Sequence, residues 1–328
     1  MNTDRPQHHP SLRAGPPDEP DTATEGPSWF SIASVERDTG IGKDTLRVWE
    51  RRYGFPIPLR NALGERSYPG AQVEKLRVLK RLLDAGHRAG QVVTLEVEEL
   101  QAIGAAVAIE VKPAADGRLA SELDSCFELL RAHDVDALRR LLSQAQLRLG
   151  LAAFIRHILV PLNTRVGEAW MRGELQVYQE HVCSEVQQVV LRRAIAGLAD
   201  PGLTRPRVLL ASFPGEPHGL GLLMAEALLA IDGARCVSLG VQVPLWDIAL
   251  AAQAFESDIV ALGFSGCMNP NQIRDGLAEL RRKLPRQVVI WAGGASPVLS
   301  RRLVPGIRVL TELDAIHAAL LDWHRGER

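Results

Sequence analysis

The sequence predicts a multidomain chain: an all-α winged helix-turn-helix, a four-helix bundle, and an α/β flavodoxin-like (Rossmann-like) parallel sheet. Three observations carry this reading. Residues 30–93 alternate short helical stretches with turn residues and hold a local excess of basic side chains. Residues 119–200 keep a helical period throughout and show no strand pattern. Residues 206–325 alternate short apolar runs with helical stretches, the pattern of parallel strands joined by crossover helices. A chain of 328 residues has room for two or three such units.

The totals narrow the function classes. With 46% apolar and 23% charged residues the chain is of globular type, and no apolar run approaches the roughly 18 residues of a membrane span, so no membrane is expected among its partners. No basic start leads into an apolar stretch, and the cytoplasm is the expected compartment. Cys126, Cys183, Cys236 and Cys267 form no CxxC pair, which argues against a disulfide framework or a zinc site. The formal net charge of -1 hides an asymmetry: residues 31–90 carry about five net positive charges.

Element by element, residues 1–28 are rich in Pro, Asp, Glu and Thr and are expected to form a disordered tail, His8 and His9 included. Over 29–98, "SIASVERDTG" and "KDTLRVWERRYG" read as helices stopped by Gly40 and Gly54. Two short extended pieces follow, around Leu59 and Ser67. Then Val73, Leu76, Leu79 and Leu82 mark an amphipathic helix. A linker is expected over 99–118. The bundle spans 119–203, with helices near 119–131, 134–148, 151–172 and 177–198. In 204–328 the runs "RVLLAS", "CVSLG", "IVALGF", "VVIWAGG" and "IRVLT" read as strands, with helices beginning near Gly219, Leu245, Asn271 and Pro297. Ligands of such sheets bind beyond the carboxyl ends of the strands.

Two short helices around the turn "TGIG", followed by the extended pieces, have winged helix-turn-helix spacing. The second helix offers Lys43, Thr45, Arg47, Arg51 and Arg52, and the wing offers Arg60, Asn61 and Arg66, donors suited to phosphates and guanine edges. Charge alone fits a solvated helix with Glu50 ion pairs equally well. The order of pieces in "FSIASVERDTGIGKDTLRVWERRYGFPIPLR" and "GERSYPGAQVEKLRVLKRLLDAG" resembles the DNA-binding domain of the MerR family. That resemblance implies double-stranded operator DNA as a partner, with Arg47, Arg51, Tyr53 and Arg66 at the DNA, and a dimeric or higher assembly.

His218 stands just past the first strand of the sheet, in "FPGEPHGLGL". Taken alone it reads as a loop histidine at a helix start. Neutral imidazole is also a good ligand for borderline metals, and Glu216 is in reach to fix its tautomer. Two further loops reach the same sheet edge: "GFSGC" with Ser265 and "WAGGAS" with Gly293 and Gly294. Together these motifs resemble the cobalamin-binding domain. The resemblance implies that His218 is the lower ligand to cobalt and that Glu216 supports it. Ser265, Gly293 and Gly294 then line the channel for the cofactor's nucleotide tail, and Gly221 lets a large flat ligand approach the backbone. Glutamate stands here where aspartate is commoner, and Cys267 where Leu or Thr is usual.

In the bundle, "GEAWMRGELQVYQEH" sets Trp170 ten residues before Glu180 and His181. On single-residue grounds Trp170 is core and Glu180 surface. The spacing resembles the cap of light-responsive, CarH-like MerR-type regulators, which implies that Trp170 packs beside the adenosyl group of adenosylcobalamin. Glu180 is implied to hydrogen-bond that group with His181 close by, in a tetramer that holds DNA in the dark and that light dissociates. Members of that family carry histidine directly after the tryptophan, whereas this chain has Met171, a weak, soft ligand for oxidised cobalt. The alternatives are a light-independent cobalamin sensor, a sensor of a second tetrapyrrole such as a bilin, and a corrinoid carrier subunit of a methyltransferase.

Overall fold

The computed structural model describes residues 29–60, 64–84, 87–107, 117–198, 205–266, 268–300 and 305–326; the expected tail, Asn61 and Cys267 lie outside them. The amino-terminal unit runs β1 (Trp29–Ser31), α1 (Ile32–Thr39), α2 (Lys43–Tyr53), β2 (Leu59–Arg60), β3 (Arg66–Pro69), α3 (Gly70–Asp84), α4 (Ala89–Val92) and α5 (Val97–Val107). Ser31 caps α1 by accepting the Ser34 N–H at 3.2 Å, and Gly40 ends it with a φ of 69°. The Glu36 carboxylate then accepts the Lys43 N–H at 3.0 Å and so fixes the start of α2 against α1. Val35, Leu46, Trp49, Leu76 and Leu79 close the core beneath. A strand that the sequence pattern does not reveal, β1, pairs antiparallel with β3, and β2 lies on the other side of β3. Three residues are too few to show an alternation.

The second group is helical: α6 (Gly117–Arg131), α7 (Val135–Leu149), α8 (Leu151–Phe154), a π-helical segment (Ile155–Leu159), α9 (Val160–Met171) and α10 (Val177–Ala196). Periodicity predicts one helix over 151–172. The structure inserts the wider π turn, because Pro161 has no N–H to donate and its ring crowds the carbonyl of His157 one turn back. The helices face each other through Leu123, Phe127, Leu138, Leu142, Phe154 and Leu162. Within this apolar interior Asn163 and Gln187 exchange two amide hydrogen bonds of 2.9 Å each.

The third group alternates strand and helix: β4 (Arg207–Ala211), α11 (Leu220–Ile231), β5 (Arg235–Gly240), α12 (Leu245–Ala254), β6 (Ile259–Gly263), α13 (Pro270–Lys283), β7 (Val289–Gly293), β8 (Ile307–Leu310) and α14 (Ala315–Arg325). All pairs are parallel, in the order β5-β4-β6-β7-β8. Buried residues alternate along β4: Val208 and Leu210 face α11 and the bundle, Leu209 and Ala211 face α12 and α13. Bundle and sheet therefore share one continuous apolar cluster. The helix expected near Pro297 is a single 3₁₀ turn, Pro297–Ser300, since Gly306 already opens the turn into β8. The last helix is instead α14, which Ile316, Ala319, Leu320 and Trp323 would have marked at helical spacing.

Candidate functional site

The order β5-β4-β6-β7-β8 reverses direction between β4 and β6, so the loops after these strands leave toward opposite faces and open a crevice. The loop after β4 is tied down first by Ser212, whose hydroxyl donates to the Glu216 carbonyl at 2.8 Å and accepts the Gln242 N–H at 3.0 Å. Phe213 packs edge-on against Phe264, with ring centroids 5.1 Å apart, and joins the bases of the two loops.

Glu216 sits between these loops with its side chain fully buried. Its Oε1 lies 2.8 Å from His218 Nδ1 and accepts the His218 backbone N–H at 3.0 Å. Its Oε2 accepts the Ser265 backbone N–H at 2.7 Å, and the Ser265 hydroxyl lies 2.8 and 3.0 Å from the two oxygens. Burial is the largest influence on this carboxyl and pushes it up. The hydrogen bonds from His218 and Ser265 together outweigh burial and hold it below the ordinary carboxylate range. An anionic Glu216 accepts a hydrogen bond from His218 Nδ1–H, the tautomer that leaves the lone pair on Nε2, and the imidazole is 55% exposed.

Behind His218 lies a cavity of about 270 Å³ with a mostly apolar lining. Leu222 and Ala225 of α11, Trp291 of β7 and Ile316 of α14 form its walls, and Ser265, Thr311 and Glu312 supply polar groups. Gly221, Gly293 and Gly294 line it as well. A Cβ on Gly221 would meet nothing within 4 Å. The glycine pair is constrained differently: a Cβ on Gly293 would come 2.8 Å from the Leu310 carbonyl oxygen, and one on Gly294, at φ 117°, 2.1 Å from that of Phe264. Thr311 and Glu312 escaped the sequence reading; their place at the carboxyl end of β8 is the signal that would have found them.

Among the described residues no cluster of three or more His, Cys, Asp or Glu could hold a bare metal ion. One outward imidazole with a fixed tautomer beside a long apolar cavity suits a metal that arrives in its own macrocycle. The residues present fit a corrinoid.

The structure does not bring Trp170, Glu180 and His181 to this cavity. Trp170, 7% exposed at the end of α9, lines a separate cavity of about 200 Å³ together with Val78 and Val97 of the amino-terminal unit. Met171 packs against both the bundle core and the core of that unit. Glu180 in the first turn of α10 holds the exposed His181 at 2.9 Å and accepts the Ser184 hydroxyl at 3.1 Å.

On the amino-terminal unit, α2 lies across the surface with Thr45, Arg47, Arg51 and Arg52 exposed. Lys43 pairs with Glu36 at 3.2 Å and Arg47 with Asp44 at 2.9 Å. Arg66 is held by Glu50 at 2.8 Å, and Arg60 donates to the Gly64 carbonyl at 3.3 Å. Tyr53 is half-buried under the Arg52 guanidinium. Lys43, Arg47 and Arg66 are thus paired with neighbouring carboxylates, while Arg51 and Arg52 stand exposed on α2.

A family model described as MerR HTH family regulatory protein matches residues 30–95, and one described as B12 binding domain matches residues 122–194. The HTH-type transcriptional repressor CarH of Myxococcus xanthus is 34% identical over 260 residues, covering 78% of this chain and 86% of CarH. The chain belongs to the CarH family of HTH-type transcriptional regulators. A second CarH-family member, the repressor CarA of the same organism, is 32% identical over 80% of this chain and 86% of its own length. In fold, the chain resembles the monomethylamine corrinoid protein of Methanosarcina barkeri, with a TM-score of 0.50 at 18% identity over 62% of this chain and 99% of that one. The CarH-family assignment thus spans both the reading head and the bundle that carries Trp170 and Glu180.

Proposed function

We propose that this CarH-family chain is a cobalamin-dependent, light-responsive repressor whose assembly state is set by adenosylcobalamin and its photolysis. The observation that carries the reading is the Glu216, His218 and Ser265 cluster at the crevice of the sheet, on the same chain as a MerR-type head. His218 would hold the cobalt from below through Nε2. Glu216 lies 2.8 Å from Nδ1 and would fix the tautomer that offers Nε2 to a metal, and the cavity past Ser265, Gly221, Gly293 and Gly294 would take the displaced tail. Trp170, Glu180 and His181 are assigned to the upper side. When bound, the adenosyl cofactor supplies a light-labile cobalt–carbon bond. The chain's own residues do the rest: Glu216 fixes the donor, the apolar walls exclude water, and α2 with the wing reads double-stranded operator DNA through Arg47, Arg51, Tyr53, Arg60 and Arg66.

One observation favours a light-independent cobalamin sensor. Trp170 and Met171 pack against the amino-terminal unit, and Met171 stands where the family's histidine would ligate. Size-exclusion chromatography with adenosylcobalamin, in darkness and after green light, separates the two. A large species that shrinks on illumination is expected. Unchanged elution with cobalamin still bound supports the sensor, and loss of cobalamin on a desalting column sinks both.

A further inference from the structure

The exposed face of α2 carries an apolar residue that neither the fold nor the basic surface explains. Val48 is 43% exposed, whereas the helix buries Leu46 and Trp49 on its far side. At 3.6 residues per turn, Asp44, Thr45, Arg51 and Arg52 all lie within about 60° of Val48 around the helix axis. All four are exposed, with the Asp44 side chain at 94%. Val48 is therefore an apolar residue on the outward half of the helix, flanked on both sides by polar and charged groups. A β-branched residue there gains little from packing and is a poorer helix former than the Ala, Lys or Arg an exposed position tolerates.

This position has a chemical use. In a helix-turn-helix the second helix enters the major groove and its first turns meet the base edges, while basic residues toward its end reach the phosphates. Asp44, Thr45 and Val48 occupy the first two turns of α2, and Arg51 and Arg52 the last. The apolar feature of the major groove is the C5 methyl of thymine, and a small branched side chain exposed among polar groups on the reading face matches it in size and polarity.

We infer that Val48 is a specificity-determining residue that contacts a thymine methyl in each half-site of the operator. The inference rests on the DNA-reading assignment above. Arg51 and Arg52 then set register and affinity, and Val48 sets base preference.

The test selects preferred duplexes from a random pool with the full chain in darkness, with and without added adenosylcobalamin. Each thymine of the selected site is then replaced by deoxyuridine, which removes only the methyl. For the wild-type chain, one replacement per half-site is expected to weaken binding about fourfold, the worth of one buried methyl-sized group. Val48→Ala, which favours the helix, is expected to bind the selected site about as weakly as wild type binds the uracil site. It should be indifferent to the replacement and keep wild-type affinity for random duplex. Tolerance of deoxyuridine at every thymine by the wild-type chain overturns the inference, as does a methyl dependence that survives in Val48→Ala. Failure of the wild-type chain to enrich any sequence overturns the DNA-reading assignment itself.

Discussion

At the scale of single residues the chemistry converges on Glu216. A buried carboxylate is tolerated when its lone pairs are filled, and here His218 and Ser265 fill them with four donor groups. Glu216→Gln keeps the volume but sets an amide against donors. It is expected to lower cobalamin affinity by about 10- to 100-fold, the usual cost of disturbing a group that orients a metal-ligating histidine. Equilibrium dialysis with hydroxocobalamin reads this out, and unchanged affinity would remove Glu216 from the site. The pairing was legible because two residues in a turn hold both groups on one loop. The second anchor, Ser265, was legible only as a position at the sheet edge. The surroundings of Trp170 were not legible at all, because helical spacing shows which side chains share a face but not which neighbour covers it. The same holds for Arg66, whose partner Glu50 is sixteen residues away on another element.

At the scale of elements, two glycines at the cavity do different work. Gly294 is required by the close approach of the β7 end to the Phe264 carbonyl, so Gly294→Ala is expected to cost more than about 3 kcal/mol, read as a lower denaturant midpoint. Gly221 opens onto free space. Gly221→Leu is expected to leave that midpoint within about 1 kcal/mol while reducing cobalamin uptake, because the new side chain occupies the cavity. Retained uptake would mean that the cofactor's tail goes elsewhere. The main helices and strands were legible from period alone, since each buries one stripe or both faces. The π segment was not, because a widened turn alters backbone pairing without disturbing the apolar repeat. At Pro297 the described residues form a 3₁₀ turn, Pro297–Ser300, in which Leu299 is the one buried apolar residue, too little for a period to show.

At the scale of the whole molecule there are two cooperative bodies. Bundle and sheet share an apolar cluster, while the reading head closes its own core and meets them at Met171 and Trp170. Calorimetry is expected to show two transitions, with Gly294→Ala lowering the larger and leaving the head's in place. One transition that moves as a unit would refute the division. The seam between the bodies holds a thioether shared by both cores and, at Trp170, a cavity of about 200 Å³. Coupling between sites is commonly worth about 1–3 kcal/mol, or roughly 5- to 150-fold in affinity. On the proposed function, regulation of DNA occupancy beyond that range would come from gathering several heads on one stretch of duplex, where each added contact is intramolecular and effective concentration replaces intrinsic affinity.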